Sequence, residues 1–77
     1  MRIRPARIRD TESIIRIAAE ENLDEDSVIN LIEDGQVYVA VDFSANVLGC
    51  SLTLDKIYVS EFAHEDNIAE ELEKCYK

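Results

Sequence analysis

The chain has 77 residues, of which 47% are hydrophobic, and these values indicate one folded domain rather than a disordered segment. Its formal net charge at pH 7 is −9. So acidic a balance argues against binding to nucleic acid and to anionic membrane surfaces, because both need a basic protein surface. It is compatible with a basic protein partner.

The charge is unevenly distributed along the chain. Residues 1–16 hold five arginines against two acids and carry a net charge of +3; the arginines are Arg2, Arg4, Arg7, Arg9 and Arg16. The remainder holds fifteen acids against three lysines and carries −12. This pattern predicts a solvated acidic surface beside a basic first strand. Two alternatives are a basic face for an anionic ligand and self-association of a positive edge with a negative one.

Cysteine usage and hydropathy indicate a cytoplasmic location. Cys50 and Cys75 are too few for a disulfide framework, so we expect two reduced, packed thiols. The charged N-terminus lacks the apolar core of a signal peptide. No apolar run approaches the roughly 18 residues that a membrane-spanning helix needs.

The first elements read as a strand and a helix. Residues 1–8 form a short predicted strand, which Pro5 confines toward a sheet edge or a bulge. Asp10 is a suitable N-cap for the helix that follows, predicted from Thr11 to Asn22. Apolar residues recur along this segment at helical spacing, namely Ile14, Ile15, Ala18 and Ala19.

A second helix and a buried strand come next. The helix is predicted over 26–34, with Asp24 or Asp26 as its cap and Gly35 as the residue that ends it. The strand covers 36–42. Its valines alternate with Tyr38 and Ala40, so we expect both of its faces to be buried.

The last part of the chain reads as two further strands and a helix. A turn at 43–46, with Ser44 and Asn46, leads into a return strand over 47–54, where Gly49 indicates a bulge or a close backbone approach. The third strand of this series covers 57–60. The final helix covers 66–76, and one of its faces is apolar while the other is acidic.

The predicted order is therefore strand, helix, helix, three strands and helix. Such a series predicts one α+β domain over residues 1–77, with a mostly antiparallel sheet packed by helices.

The opening segment resembles the GNAT family of N-acetyltransferases. Domains of that family often begin with Ile-Arg-x-Ala, three variable positions, an aspartate and a helix with paired isoleucines. The matching residues are Ile3, Arg4, Ala6, Asp10, Ile14 and Ile15. The hairpin over 37–55 is also similar to the central hairpin of the family, in which a valine-rich strand returns through Val-x-Gly. The resemblance implies the N-terminal half of an acyl-CoA N-acyltransferase fold.

The stretch from 59 to 72 takes the place of the family's cofactor loop. There, a segment of the form Val-x-Pro-x-x-Arg-Gly-x-Gly-Ile-Gly-x-x-Leu holds the pyrophosphate of acetyl-CoA on backbone N–H groups and a helix N-terminus. The positions that agree are Val59, Ile68 and Leu72, with Ala69 at the place of a small residue.

The positions that contact phosphate depart from this pattern. His64 replaces the arginine, Glu65 and Asn67 replace glycines, and Glu61 replaces the proline. Glu65 and Asp66 each repel a nearby phosphate by about 1 kcal/mol in water and about 4 kcal/mol at an effective dielectric of about 20, whereas the helix dipole contributes about 0.3–1 kcal/mol. We therefore expect helix capping rather than anion binding, and no resident cofactor, over His64, Glu65, Asp66, Asn67, Ile68 and Ala69.

The family domain continues past this helix with further strands, and the pantetheine arm of the cofactor lies between its fourth and fifth strands. Lys77 follows the last predicted helix directly. The outer edge of the strand predicted over 57–60 then exposes unpaired backbone hydrogen-bonding groups. Pairing with a second copy of the chain satisfies them. We expect a homo-oligomer, most simply a dimer.

Other candidate chemistry is weak. His64 with Glu65 and Asp66 is a poor metal set, and Cys50 or Cys75 with His64 is a poor nucleophile and base pair. Packing roles are predicted for Tyr58 and Tyr76, solvation for Glu61, and a place on the sheet surface for Ser51 and Thr53.

Two functions follow from this reading. The first is a non-catalytic, GNAT-like domain that acts as an oligomeric interaction or regulatory module, whose acidic surface suits a basic protein partner. The alternative is an acyl-CoA-dependent N-acetyltransferase that oligomerisation completes and that holds acetyl-CoA in an atypical way. The glycine loop separates them, because the first function does not need it.

Overall fold

The computed structural model describes residues 1–61, 63 and 67–76. In this part of the chain a four-stranded antiparallel sheet packs with three α-helices, which confirms the predicted α+β class. The elements are β1 (Arg2–Pro5), α1 (Thr11–Ile17), α2 (Glu25–Glu33), β2 (Tyr38–Val41), β3 (Val47–Thr53), β4 (Lys56–Val59) and α3 (Ile68–Glu73). The strands lie side by side in chain order, β1-β2-β3-β4, so β1 and β4 form the two edges. None of the helices described is long and apolar enough to cross a bilayer.

The sheet separates two apolar clusters. Val37, Val39 and Val41 face α1 and α2, where Ile14 and Val28 pack against them. On the opposite face, Ala40 packs with Ile68 and Leu72 of α3. The alternation of valine with other residues in this strand therefore buries both faces, as the sequence predicts.

The first helix is shorter than predicted. It ends at Ile17 instead of Asn22, because Ala18 leaves the helical conformation at φ −96° and ψ 38° and a 3₁₀ turn, Ala19–Glu21, follows. Asn22 adopts the left-handed conformation, with φ 55°, which asparagine tolerates well. The turn brings the Glu21 carboxylate to the Tyr58 hydroxyl, which donates a hydrogen bond to it. This contact with β4 is a tertiary reason for the break.

The second helix confirms its predicted signals. Asp24 is the cap, since its Oδ1 accepts a hydrogen bond from the Ser27 N–H at 2.8 Å. Gly35 ends the helix at φ +73°. The N–H groups of Gly35 and Gln36 donate to the carbonyls of Ile32 and Leu31 at 3.0 and 3.3 Å, the paired bonds of a Schellman motif.

The hairpin turn is organised by a residue just outside the predicted turn. The Asp42 carboxylate accepts hydrogen bonds from the N–H groups of Ser44 and Asn46 at 2.8 and 2.9 Å. Ala45 carries the positive φ of 66°, rather than Ser44 or Asn46. The carboxylate supplies the acceptors that the tight backbone needs. Phe43, at the tip, is fully exposed.

Gly49 lies at both a bulge and a close backbone approach, as predicted. Ala40 pairs with Gly49 while Val41 pairs with Val47, so Leu48 is the extra residue of the bulge. A Cβ atom on Gly49 would lie 2.9 Å from the Ile68 Cγ2 atom and 2.9 Å from the Tyr58 carbonyl oxygen. The absence of a side chain therefore lets α3 rest directly on β3.

The Asp10 carboxylate ties β1 to the start of α1. Asp10 occupies the N-cap position, but its side chain makes no capping bond to α1, contrary to the prediction. It accepts hydrogen bonds from Arg4 Nη1 and Nη2 at 2.8 and 3.2 Å and from the Arg7 N–H at 2.8 Å. Burial raises the pKa of Asp10, but the bonds from Arg4 and Arg7 outweigh it and hold that pKa below its ordinary value.

Substitution of Gly49 tests the close approach of α3 to the sheet. We expect Gly49→Ala to lower the free energy of unfolding by about 2–3 kcal/mol, because the Tyr58 carbonyl cannot move away without disturbing the ladder. Gly35→Ala is the control, since it meets nothing within 4 Å and suffers only from its positive φ, at about 1 kcal/mol. Urea unfolding of both variants gives the comparison. An equal or smaller loss for Gly49→Ala would contradict the packing described.

The pair of Arg4 and Asp10 predicts a dependence of stability on pH. The lowered pKa of Asp10 makes its contribution complete above the unfolded value of about 3.9 and progressively lost as the pH falls through the folded value. We expect Asp10→Asn to be clearly less stable than the parent at pH 7, with a difference that shrinks by pH 3. Urea midpoints at pH 7, 5 and 3 measure it. A difference that does not change with pH would refute the electrostatic account.

Candidate functional site

The candidate site is the connection between β4 and α3, which the resemblance to the GNAT family aligns with that family's cofactor loop. Of the six predicted positions, His64, Glu65 and Asp66 lie outside the described residues, so the expectations about them stay predictions. Asn67, Ile68 and Ala69 are described. They show where the backbone enters α3 and which side chains face the site.

Asn67 does not reproduce a glycine conformation. It precedes α3 with φ −113° and ψ 18°, outside the left-handed region, and its side chain makes no capping hydrogen bond. Its carbonyl accepts the Glu71 N–H at 3.0 Å, the first bond of the helix. The helix therefore begins at Ile68 and not at the predicted Asp66, and it continues past Glu73 as a 3₁₀ turn, Lys74–Tyr76.

The Ile68 side chain is part of the hydrophobic core and does not face a ligand site. Its side chain is buried against Gly49, and Leu72 lies one turn further along the same face of α3. Ala69 is exposed. Glu70 and Glu71 lie in the first turn of the helix, where their carboxylates favour the helix terminus.

Two adjoining clefts, of about 300 and 440 Å³, lie beside the end of β4. Both are lined by Arg16 and Ile17 of α1 and by Ser60. Glu61 lines the smaller cleft and Asp42 the larger one. One guanidinium thus stands against two carboxylates, and this balance does not favour a pyrophosphate. Arg16 was not predicted as a lining residue, because the helix was predicted to continue to Asn22 and its actual end at Ile17 is what places Arg16 in the last turn.

The cysteines are not arranged for nucleophilic chemistry. Both are free thiols, and Cys50 is fully buried. Burial raises the pKa of Cys50 to about 12, and burial also raises the pKa of the half-buried Cys75. A thiol with so high a pKa forms little thiolate at neutral pH. The proposed partner of either thiol, His64, lies outside the described residues.

The tyrosines make structural contacts. The Tyr76 hydroxyl donates to the Gln36 carbonyl at 2.8 Å and lies 2.9 Å from Ser51 Oγ, and its ring meets Tyr38 edge to face with centroids 5.7 Å apart. Ser51 is fully buried beneath it, so its predicted place on the sheet surface is wrong, whereas Thr53 is exposed. The bond to Glu21 raises the pKa of Tyr58 to about 12. A hydroxyl held in this way is poorly suited to proton transfer at neutral pH.

The described residues also bear on metal binding. Among them, no group of three or more histidine, cysteine, aspartate or glutamate side chains is arranged to hold a metal ion. The weak candidate set of His64, Glu65 and Asp66 lies outside that part of the chain. The expectation that these three residues are a poor metal set stays a prediction.

Comparison of the chain with protein-family models, with curated proteins and with solved structures found no match. The resemblance to the GNAT family therefore rests on the residues of this chain, and any function built on it is a proposal.

Proposed function

We propose that this chain is a non-catalytic, GNAT-like domain that acts as a self-associating interaction module. The observation that carries the proposal is the outer edge of β4, whose backbone pairs with no strand among the described residues. In the family, this edge is where the cofactor arm enters the sheet. Here it serves association in place of catalysis.

The lack of glycine at the cofactor-loop positions of the sequence supports a non-catalytic role. No glycine follows Gly49 in the chain, and Asn67 itself lies outside the left-handed region that a cradle glycine can adopt. The clefts beside β4 set Arg16 against Glu61 and Asp42. Each of these features lowers the affinity for the pyrophosphate of acetyl-CoA.

The two edges of the sheet differ in their capacity to pair. The β1 edge carries Arg2 and Arg4 and ends at Pro5, and charge and proline both oppose strand addition. The β4 edge carries a single charged side chain, Lys56, and Val59 on it is 42% exposed. β4 is therefore the edge suited to a partner strand.

The hydrogen-bonding groups of β4 alternate between its neighbour and its free edge. The Ser60 N–H donates to the Leu48 carbonyl of β3 at 2.8 Å. Successive N–H groups of a strand point to opposite sides, so those of Ile57 and Val59 point away from β3. They offer two donors to a strand that adds beside them.

A second copy of the chain is the occupant to which the proposal commits. Antiparallel pairing of β4 with its symmetry mate continues the sheet, covers Val59 in both copies and enlarges the small core. Because each copy carries a net charge of −9, salt that screens this repulsion favours the dimer. The acidic face of α3 remains outward in such a dimer, where a basic protein partner can reach it.

The solution mass tests the proposal. We expect light scattering to give twice the chain mass of 8.8 kDa, with a larger dimer fraction at higher salt. Val59→Pro removes an outward N–H and Val59→Lys adds an edge charge, so both should give monomers, while the control Val59→Thr should remain dimeric. A monomeric parent, or a dimer that survives both substitutions in folded protein, would overturn the self-association.

Thermal unfolding with acetyl-CoA, run in parallel with ADP, tests the non-catalytic part of the proposal. A ligand at 100 times its Kd stabilises a fold by about 2.7 kcal/mol, which is several degrees for a domain of this size. We expect acetyl-CoA to stabilise the chain no more than ADP does. If acetyl-CoA stabilised the chain more than ADP does, the difference would come from contacts of the acyl-pantetheine arm. That result would support an acetyltransferase completed by oligomerisation. Glu65→Gly with Asn67→Gly should restore acetyl-CoA binding only if the remaining slot is sound.

A further inference from the structure

A third cavity lies away from the β4 connection, on the outer side of β1. Its volume is about 300 Å³, and its lining includes Arg2, Arg4, Arg9, Val41, Asp42 and Phe43. These residues form what we call the arginine pocket. A volume of this size is at the lower end of the range for small-molecule sites. The pocket does not depend on the function proposed for β4.

The fold brings the three arginines together from two elements. Arg2 and Arg4 alternate along β1 and pair with Val41 and Val39, so both side chains lie on the sheet face that carries α1. The 3₁₀ turn Ile8–Asp10, which leads from β1 into α1, places Arg9 beside them. Three of the five arginines that cluster in residues 1–16 therefore line one concave surface of the fold.

The three arginines differ in whether a carboxylate already neutralises their charge. Arg4 is held and neutralised by Asp10 at 2.8 Å. Neither Arg2 nor Arg9 forms an ion pair in the part of the chain that the structure describes. Asp42 opposes an anion, because the hydrogen bonds from Asn46 and Ser44 fix the place of its carboxylate and lower its pKa, so that it stays charged. Two guanidinium groups thus stand against one carboxylate, which leaves a net positive charge.

An aromatic side chain completes the pocket. Phe43, at the tip of the hairpin, is fully exposed, and Val41 and Ala45 line the wall next to it. The Asp42 bonds hold this turn in one shape, which sets the place of Phe43 relative to β1. An exposed ring beside guanidinium groups is a stacking surface for a planar ligand.

We propose that the arginine pocket binds a mononucleotide, with its phosphate on Arg2 and Arg9 and its base on Phe43. Guanidinium groups suit phosphate because they donate parallel N–H bonds to two oxygens. The apolar wall favours a ligand with a ring over a bare anion. A cavity of about 300 Å³ leaves room for one nucleotide and not for a polymer.

Titration of labelled protein with AMP, followed by NMR, tests the pocket. We expect saturable shifts at the amides of Arg2, Arg9 and Phe43, and at least tenfold weaker binding of both adenosine and inorganic phosphate. AMP that binds no more tightly than inorganic phosphate would overturn the stacking role of Phe43. Chemical-shift changes that are spread over the whole surface and do not saturate with AMP concentration would show that there is no specific site.

Matched variants separate a built site from general attraction. The double variant Arg2→Gln, Arg9→Gln should weaken AMP binding at least tenfold, and it should fold normally because both side chains are exposed and neither forms an ion pair within residues 1–61, 63 and 67–76. Phe43→Ala should weaken AMP binding but leave phosphate binding unchanged. The control Arg7→Gln removes the same charge from an exposed arginine outside the pocket lining and should have little effect. An equal loss in the double variant and in a double control with Arg7→Gln and Lys74→Gln, whose side chains are exposed and line neither the arginine pocket nor the clefts beside β4, would refute the proposal.

The two proposals fail in distinguishable ways. The nucleotide part of acetyl-CoA can enter the arginine pocket, so stabilisation by ADP and by acetyl-CoA alike, lost in the double arginine variant, supports the pocket and leaves the β4 edge untouched. A dimer mass in that variant is likewise expected. Stabilisation by acetyl-CoA alone that persists in the variant would place binding at the β4 connection instead.

Discussion

The contact of Gly49 with Ile68 is the constraint on which the C-terminal half depends. With only a hydrogen in place of a side chain, β3 allows α3 to lie against the sheet and bury Ile68 and Leu72. The bulge at Leu48 shapes the same strand next to it. A methyl group at position 49 would push α3 away from the sheet. This shift would change both the entry of the chain into α3 and the shape of the clefts beside β4. The core on the other face, built on β2 valines, has no such single requirement.

Local patterns predicted the elements whose causes are local. The alternating valines of β2 required no tertiary knowledge, nor did the glycine that ends α2, because period and backbone conformation decide them. The wrong predictions have tertiary causes. Asp10 turns to Arg4 instead of capping α1, the end of α1 yields to the Glu21 contact with Tyr58, and Ser51 is covered by Tyr76, which lies 25 residues further along the chain.

The candidate sites were predicted to different extents. The departures from a phosphate loop are visible in the sequence, because other residues stand at the positions of its glycines. In the structure, Asn67 lies outside the left-handed region that a glycine there could adopt. The arginine pocket was visible only as an uneven charge. The alternation of side chains along a strand places Arg2 and Arg4 on one face, and the hairpin turn that carries Phe43 was also predicted. The approach of Arg9 depends on the 3₁₀ turn Ile8–Asp10, which the sequence patterns did not locate.

Amide hydrogen exchange along β4, measured at two protein concentrations, tests the central proposal most directly. The Ile57 and Val59 N–H groups point away from β3, whereas the Ser60 N–H is bonded to it. If β4 pairs with a second copy, the two outward amides exchange slowly and become more protected as the concentration rises. If they exchange at the rate of open chain at every concentration while Ser60 stays protected, the edge is not an interface and the proposal is wrong.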